Sequence, residues 1–289
     1  MPERKKERKQ DNNKDNQLLQ LRSKIDNIDN KLIDLLNQRM EVIREVGDYK
    51  KSINENFFIK SAREADMIKT LLKKADPSIP KSTIVSIWRK IITSANVLEQ
   101  KLTIAVHNPD KIVDYQYLIR EYYGDFVPLI FHDSATYIIA EIEKRECQIG
   151  IFALPDKGQN KIENWWINLA NNQSGIKVFA RIPLIGNSPY QLVAVAIKPP
   201  EKSEDDQTLL TIEVASEFSK YQVDEALNAT KLKFKILQSA KLDQIQNVNF
   251  YLIEIDGFFE EQSPEIIQFS HSQIKPFVKV LGHFAKPII

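Results

Sequence analysis

The chain has 289 residues, 43% of them hydrophobic and 27% charged, and a net charge of +1. That length allows about two domains, with three small ones possible, and the composition is ordinary for a globular soluble protein. The charge balance excludes a bulk basic field for nucleic acid, and no apolar run reaches the length of a membrane span. The one cysteine, Cys147, excludes an intramolecular disulfide and fits a reducing, cytoplasmic setting.

Residues 1–16 are charged and poor in apolar side chains, with no signal-peptide core, and are expected to form a disordered tail. Residues 17–100 read as three helices, the first of them long. In the first, Leu18, Leu21, Ile25, Ile28, Leu32, Leu35, Val42 and Val46 recur at three-four spacing and make one helical stripe. Arg39 takes the stripe position between Leu35 and Val42. A guanidinium in an apolar seam is costly unless an anion meets it. Lys50 follows at about 20° round the helix, on nearly the same face, and roughly 16 Å along it. Two cations on one inward face suggest an anionic ligand, although each can equally be structural. Arg22 lies roughly 42 Å from Lys50 on a straight helix. It is either structural or reaches the site of a second, antiparallel chain.

The segment LLQLRSKIDNIDNKLIDLLNQRMEVIREVGDYK, followed by SAREADMI and IWRKIITSANVLEQ, resembles the all-helical chorismate mutases over the whole of 17–100. The resemblance implies an intertwined helical homodimer that converts chorismate to prephenate by a pericyclic rearrangement, without cofactor or metal. Catalysis there rests on holding the reactive conformer and stabilising charge on the breaking ether oxygen. Carried over by motif, Arg22 resembles the arginine donated from the partner chain to a substrate carboxylate, and Arg39 the in-chain carboxylate ligand. Lys50 resembles the donor to the ether oxygen. Arg63 and Glu64 resemble the pair near the other carboxylate and the ring hydroxyl. Ser61-Ala62-Arg63-Glu64 is also a capping-box pattern, so Glu64 has a local alternative in bonding the helix N-terminus.

Three positions depart from the commonest pattern: Lys60 replaces an aspartate, Ala95 a serine, and Glu99 a glutamine that shares the ether oxygen with the lysine. A carboxylate cannot donate a hydrogen bond, so Glu99 works there only as its neutral acid. Alternatively, Glu99 is a solvated helix-end residue and Gln100 contributes instead.

From Leu102 the pattern changes to strands alternating with helices. LTIAV, VPLIF and QIGIFAL read as strands, with helices near Val113–Tyr123 and Ala135–Glu146, which indicates an α/β layer with parallel strands. A helix over 162–171 carries Trp165 and Trp166, read as packing residues. IKVFARIPLI and YQLVAVAI follow as strands, and PPEKSEDD as a linker. This order resembles a shortened prephenate dehydratase domain of periplasmic-binding-protein-like fold. Its motifs are missing: HNPDKI replaces a glycine-rich loop, Pro155-Asp156-Lys157 a glutamate-asparagine-serine turn, and Pro189-Tyr190-Gln191 a threonine-arginine-phenylalanine motif.

From Gln207 the β-α-β-β-α-β order is ferredoxin-like. NFYLIEIDG and FVKVLGHF resemble the regulatory ACT domain that follows the dehydratase. Glu217-Phe218-Ser219-Lys220 and Gln238-Ser239-Ala240-Lys241 lack its effector-binding glycine and arginine. The four histidines lack metal-ligand spacing.

The sequence therefore reads as a multidomain, cytoplasmic, homodimeric chorismate mutase. The expected parts are a tail over 1–16, an all-α mutase domain over 17–100, a degenerate α/β domain over 101–205 and an ACT-like α+β domain over 206–289. Catalysis falls to Lys50, Arg39 and Glu99, with Arg22, Arg63 and Glu64 completing the substrate site. The ACT-like part is a candidate effector site. A bifunctional mutase–dehydratase making phenylpyruvate, or a non-catalytic regulatory or binding protein, are the alternatives.

Overall fold

The computed structural model describes residues 3–53, 59–155, 163–186, 188–242 and 245–288. The chain divides into two compact units, Met1–Asn56 and Phe57–Ile289. This division falls inside the expected helical domain rather than at its end.

The first unit is helix α1 (Glu3–Ser52). It includes residues 3–16, whose composition predicts a disordered tail. Further along, the expected stripe is present and faces solvent. From Leu18 to Val46 its residues are all exposed, Val46 least, at 38%.

The second unit opens with α2 (Ser61–Lys74) and α3 (Lys81–Glu99), so the three expected helices are present. Then come β1 (Ile104–His107), α4 (Val113–Tyr123), β2 (Leu129–His132), α5 (Ala135–Glu143), β3 (Ile149–Ala153), α6 (Trp165–Ala170), β4 (Ile176–Ile182) and β5 (Leu192–Ile197). The last part is β6 (Asp206–Ala215), α7 (Lys220–Ala229), β7 (Phe234–Leu242), β8 (Ile245–Asp256), α8 (Pro264–Ser270) and β9 (Phe277–Ala285).

Among the described residues the strands form one nine-stranded sheet in the order β2-β1-β3-β5-β4-β9-β6-β8-β7. β1 pairs in parallel with β2 and β3, and β4 with β9, whereas β5 runs antiparallel to both β3 and β4. Within the α/β part, parallel pairing is thus limited to β2, β1 and β3. The segment from β6 to β9 has the expected βαββαβ order, with strands arranged β9-β6-β8-β7, the ferredoxin-like pattern.

The sheet runs unbroken across the expected boundary at 205/206. β4 and β9 meet there in parallel at Val178 and Gly282. Gly282 has φ +148°, and a Cβ on it would collide with the backbone oxygen and nitrogen of Val178. Only glycine allows the two backbones to approach so closely.

Alternation along the strands separates two cores. Ile104 and Val106 of β1 pack with Ile68, Val85 and Ile92 of α2 and α3, whereas Ala105 packs with Ile138 of α5 and the two tryptophans. A third core lies between α7, α8 and the ferredoxin-like strands. The helices α2 and α3 therefore share their core with the α/β strands.

Candidate functional site

The expected site residues fall on three helices. Arg22, Arg39 and Lys50 belong to α1, with Lys50 in its last turn, where the helix dipole favours a cation. Arg63 and Glu64 lie in the first turn of α2, and Glu99 is the last residue of α3. Arg63 is exposed, while Glu64 and Glu99 are buried.

The start of α2 differs from its local sequence signal. Its N-cap is Lys60, and no side chain of the capping-box pattern bonds the helix end. A carboxylate from far along the chain does so instead: Glu201 Oε2 accepts from the Ala62 N–H at 3.2 Å. The same oxygen accepts from Lys198 Nζ at 3.2 Å, and Lys198 also donates to Ser61 Oγ and to the Ile59 carbonyl, each at 3.3 Å. The residues read as a linker, 199–206, thus contain the anchor of the α2 N-terminus.

Freed from that end, Glu64 turns inward. Its Oε2 accepts from Arg89 Nη1 at 2.8 Å and its Oε1 from Asn96 Nδ2 at 3.1 Å. Arg89 and Asn96 are two turns apart on one face of α3. Arg89 is only 2% exposed. Its Nε donates to the Tyr122 carbonyl of α4 at 3.2 Å, and its guanidinium lies 3.7 Å from the Tyr122 ring centre. Burial opposes its charge, but Tyr122 and Glu64 outweigh burial and hold it above the usual arginine range. Burial also pushes the Tyr122 and Tyr123 hydroxyls upward. Arg89 and Asn96 are not among the expected site residues, although Arg89 carries the same signal as Arg39, a charge on the stripe that Val85 and Ile92 bury.

One turn before Glu99 on α3, Ala95 is buried and brings no hydroxyl. Thus α2 and α3 together present an anchored helix start, an exposed cation at Arg63, and two buried carboxylates, Glu64 and Glu99.

The second candidate region is the C-terminal edge of β1, β2 and β3, where open α/β sheets bind ligands. His107 Nε2 lies 2.8 Å from Glu163 Oε2, and that oxygen accepts from the Ala135 N–H at the start of α5 at 3.2 Å. The loop after β1 closes on itself: Asn108 accepts from Ile112 N–H at 2.8 Å and donates to its carbonyl at 3.0 Å. Asp156 and Lys157 lie outside the described residues. Trp165 donates to the Ala153 carbonyl at 2.8 Å and stacks on Phe152, so it packs as expected. Burial pushes the Cys147 thiol up to about 12, which leaves it inert.

In the ferredoxin-like part, Ser219 caps α7 through a full capping box with Gln222. Gln238 is engaged by α6, accepting from Trp166 Nε1 at 3.2 Å and donating to Asn164 at 3.3 Å. Among the described residues no group of His, Cys, Asp or Glu is placed to hold a metal, and no helix is long and apolar enough to cross a membrane.

In fold, the chain is similar to a solved structure described as GqqA, a novel type of quorum quenching acylase. The TM-score is 0.50 at 11% identity, over 64% of this chain and 95% of that one. A prephenate dehydratase from Streptococcus mutans matches at TM-score 0.47 and 15% identity, over 65% of this chain and all of that one. Residues 21–100 match the family described as chorismate mutase type II. The bifunctional chorismate mutase/prephenate dehydratase of Aquifex aeolicus is 24% identical over 139 residues, 47% of this chain and 38% of that protein. The protein of the same description from Stutzerimonas stutzeri is 29% identical over 98 residues, 32% of this chain and 27% of that protein. The matches therefore span well under half the length of either curated relative. The helical segment resembles the chorismate mutases in sequence.

Proposed function

We propose that the chain is a cytoplasmic chorismate mutase that converts chorismate to prephenate on the route to aromatic amino acids. The observation that carries this reading is the chorismate mutase type II match over residues 21–100, a range that contains Arg22, Arg39, Lys50, Arg63 and Glu64. Arg39 and Arg63 bind the two substrate carboxylates. Glu64 accepts from the ring hydroxyl, and Lys50 donates to the ether oxygen as negative charge develops on it. Glu99 supplies the second donor to that oxygen.

The working unit is a homodimer in which Arg22 serves the site of the partner chain. Two observations support it: Arg22 is roughly 42 Å from Lys50 along α1, and the apolar stripe of α1 is exposed, which calls for a helical partner. The ferredoxin-like part is an ACT-like module. Because Gln238 is already engaged by α6 and the effector motif is absent, any small-molecule effector there binds in a different manner from the usual one.

A second reading, a bifunctional mutase–dehydratase, is favoured by the description of both curated relatives. Against it stand the three missing motifs and the His107–Glu163 pair at the strand edge. A product assay separates the readings. Purified protein is given chorismate, and prephenate and phenylpyruvate are quantified without acid treatment. Prephenate alone is expected. Phenylpyruvate as well selects the bifunctional reading, and no consumption by folded protein selects a binding or regulatory role. Lys50→Ala should lower turnover by at least about 10²–10³-fold; undiminished turnover would remove Lys50 from the mechanism.

A further inference from the structure

The carboxylate of Glu64 has a soft terminal torsion that by itself leaves the oxygens free to swing. Here each oxygen is held by a different donor, Oε2 by Arg89 and Oε1 by Asn96. Arg89 is itself fixed at a second point, because Nε is bonded to the Tyr122 carbonyl and the guanidinium plane lies over the Tyr122 ring. The orientation of Glu64 is therefore set from α4, outside the matched helical segment. A carboxylate offers about four acceptor directions. Arg89 and Asn96 use one on each oxygen, which leaves each oxygen of Glu64 one further acceptor direction, fixed by the two bonds already made.

From this geometry we infer that Arg89 is a positioning residue that aims the remaining lone pairs of Glu64 at the ring hydroxyl of the substrate. This inference rests on the chorismate mutase reading above. It assigns Arg89 and Asn96 a part in substrate discrimination beyond bracing α2 against α3. Because Glu64 is already bonded twice, losing the substrate hydroxyl leaves no bare buried charge. The preference for a hydroxylated ring is accordingly moderate, about tenfold to a hundredfold for one hydrogen bond to a charged group.

The test compares kcat/KM for chorismate with kcat/KM for the analogue lacking the ring hydroxyl, in the full-length chain. The wild type should prefer chorismate by about tenfold to a hundredfold. Arg89→Lys keeps the positive charge but loses the planar fork and the anchored Nε. It should lower that preference by about tenfold, mostly through the chorismate value. Asn96→Ala should lower the same ratio by a smaller factor. A residue that only braces the helices would change both substrates alike and leave the ratio intact. A folded Arg89→Lys protein with the wild-type ratio overturns the inference. If Arg89→Lys does not fold, an unchanged ratio in Asn96→Ala overturns it. A wild type that turns over both substrates equally removes Glu64 as the hydroxyl acceptor and defeats this inference alone. A wild type that consumes neither defeats the functional reading on which it rests.

Discussion

Two helix starts in the second unit, those of α2 and α5, are each met by a carboxylate from later in the chain. At α2 the carboxylate is Glu201, matched by Lys198; at α5 it is Glu163, matched by His107. The difference is what remains for a ligand. One turn into α2, a second carboxylate, Glu64, is neutralised by Arg89 and keeps acceptor capacity. At α5 the same side chain, Glu163, both satisfies the helix end and engages the strand-end histidine. Where the anchoring anion and the functional anion are separate residues, the fold can hold one and present the other. Where one residue does both, the edge that would receive a ligand is filled by the protein itself.

The largest effect expected of the α3 side of this contrast lies at Glu99. A neutral acid donates to the ether oxygen and a carboxylate does not. Glu99→Ala removes any donor and should lower turnover by about 10²–10³-fold, whereas Glu99→Gln keeps a donor and should hold turnover at or above the wild-type level. Equal turnover of Glu99→Ala and wild type would remove Glu99 from the chemistry.

An intermediate effect is expected at the anchor of α2. Burial is the main influence on Lys198 and holds its ammonium below the usual lysine range, against the pull of Glu201. The folded chain then binds fewer protons than the unfolded one between the folded lysine value and the ordinary one, so stability rises with pH through that window. Glu201→Gln removes the opposing charge and should cost about 1–3 kcal/mol at neutral pH. It should also push Lys198 further down and widen the window. The deficit in melting temperature against wild type should then shrink as the pH is raised from 7 toward 10. A deficit that stays constant over that range would show that Glu201 acts only as a hydrogen-bond acceptor.

The same contrast explains what was legible in the sequence. The α1 stripe and the segment Val113–Tyr123 are local patterns, and the helices form where the periodicity places them. Arg89 sits in an apolar seam as Arg39 does, but the buried face of α3 is completed by Ile104 and Val106, which lie outside the helix and its local pattern. The Ser61–Glu64 capping pattern failed because stronger tertiary partners compete for both ends of it: Lys198 for Ser61 and Arg89 for Glu64. Glu201 is 139 residues from the N–H it caps, a separation that no local pattern encodes. The unbroken sheet was equally hidden. It turns on one glycine, Gly282, passing Val178, and glycine in a strand-like run signals a close approach without naming the backbone that approaches.

The smallest effect is expected at α5, and its smallness is the point. Glu163→Gln retains an oxygen that can accept from the Ala135 N–H and only weakens the contact with His107, so it should cost at most about 1 kcal/mol of stability. In the present reading the strand edge is closed by the protein and takes no part in the rearrangement. Steady-state kcat and KM for chorismate should therefore stay within about twofold of wild type. The Arg89→Lys protein, altered at the other carboxylate pair, provides the contrast in the same assay. If Glu163→Gln lowers chorismate turnover as strongly as Arg89→Lys does, then the strand edge contributes to the mutase reaction, and the division between a presenting carboxylate and a plugging one does not hold.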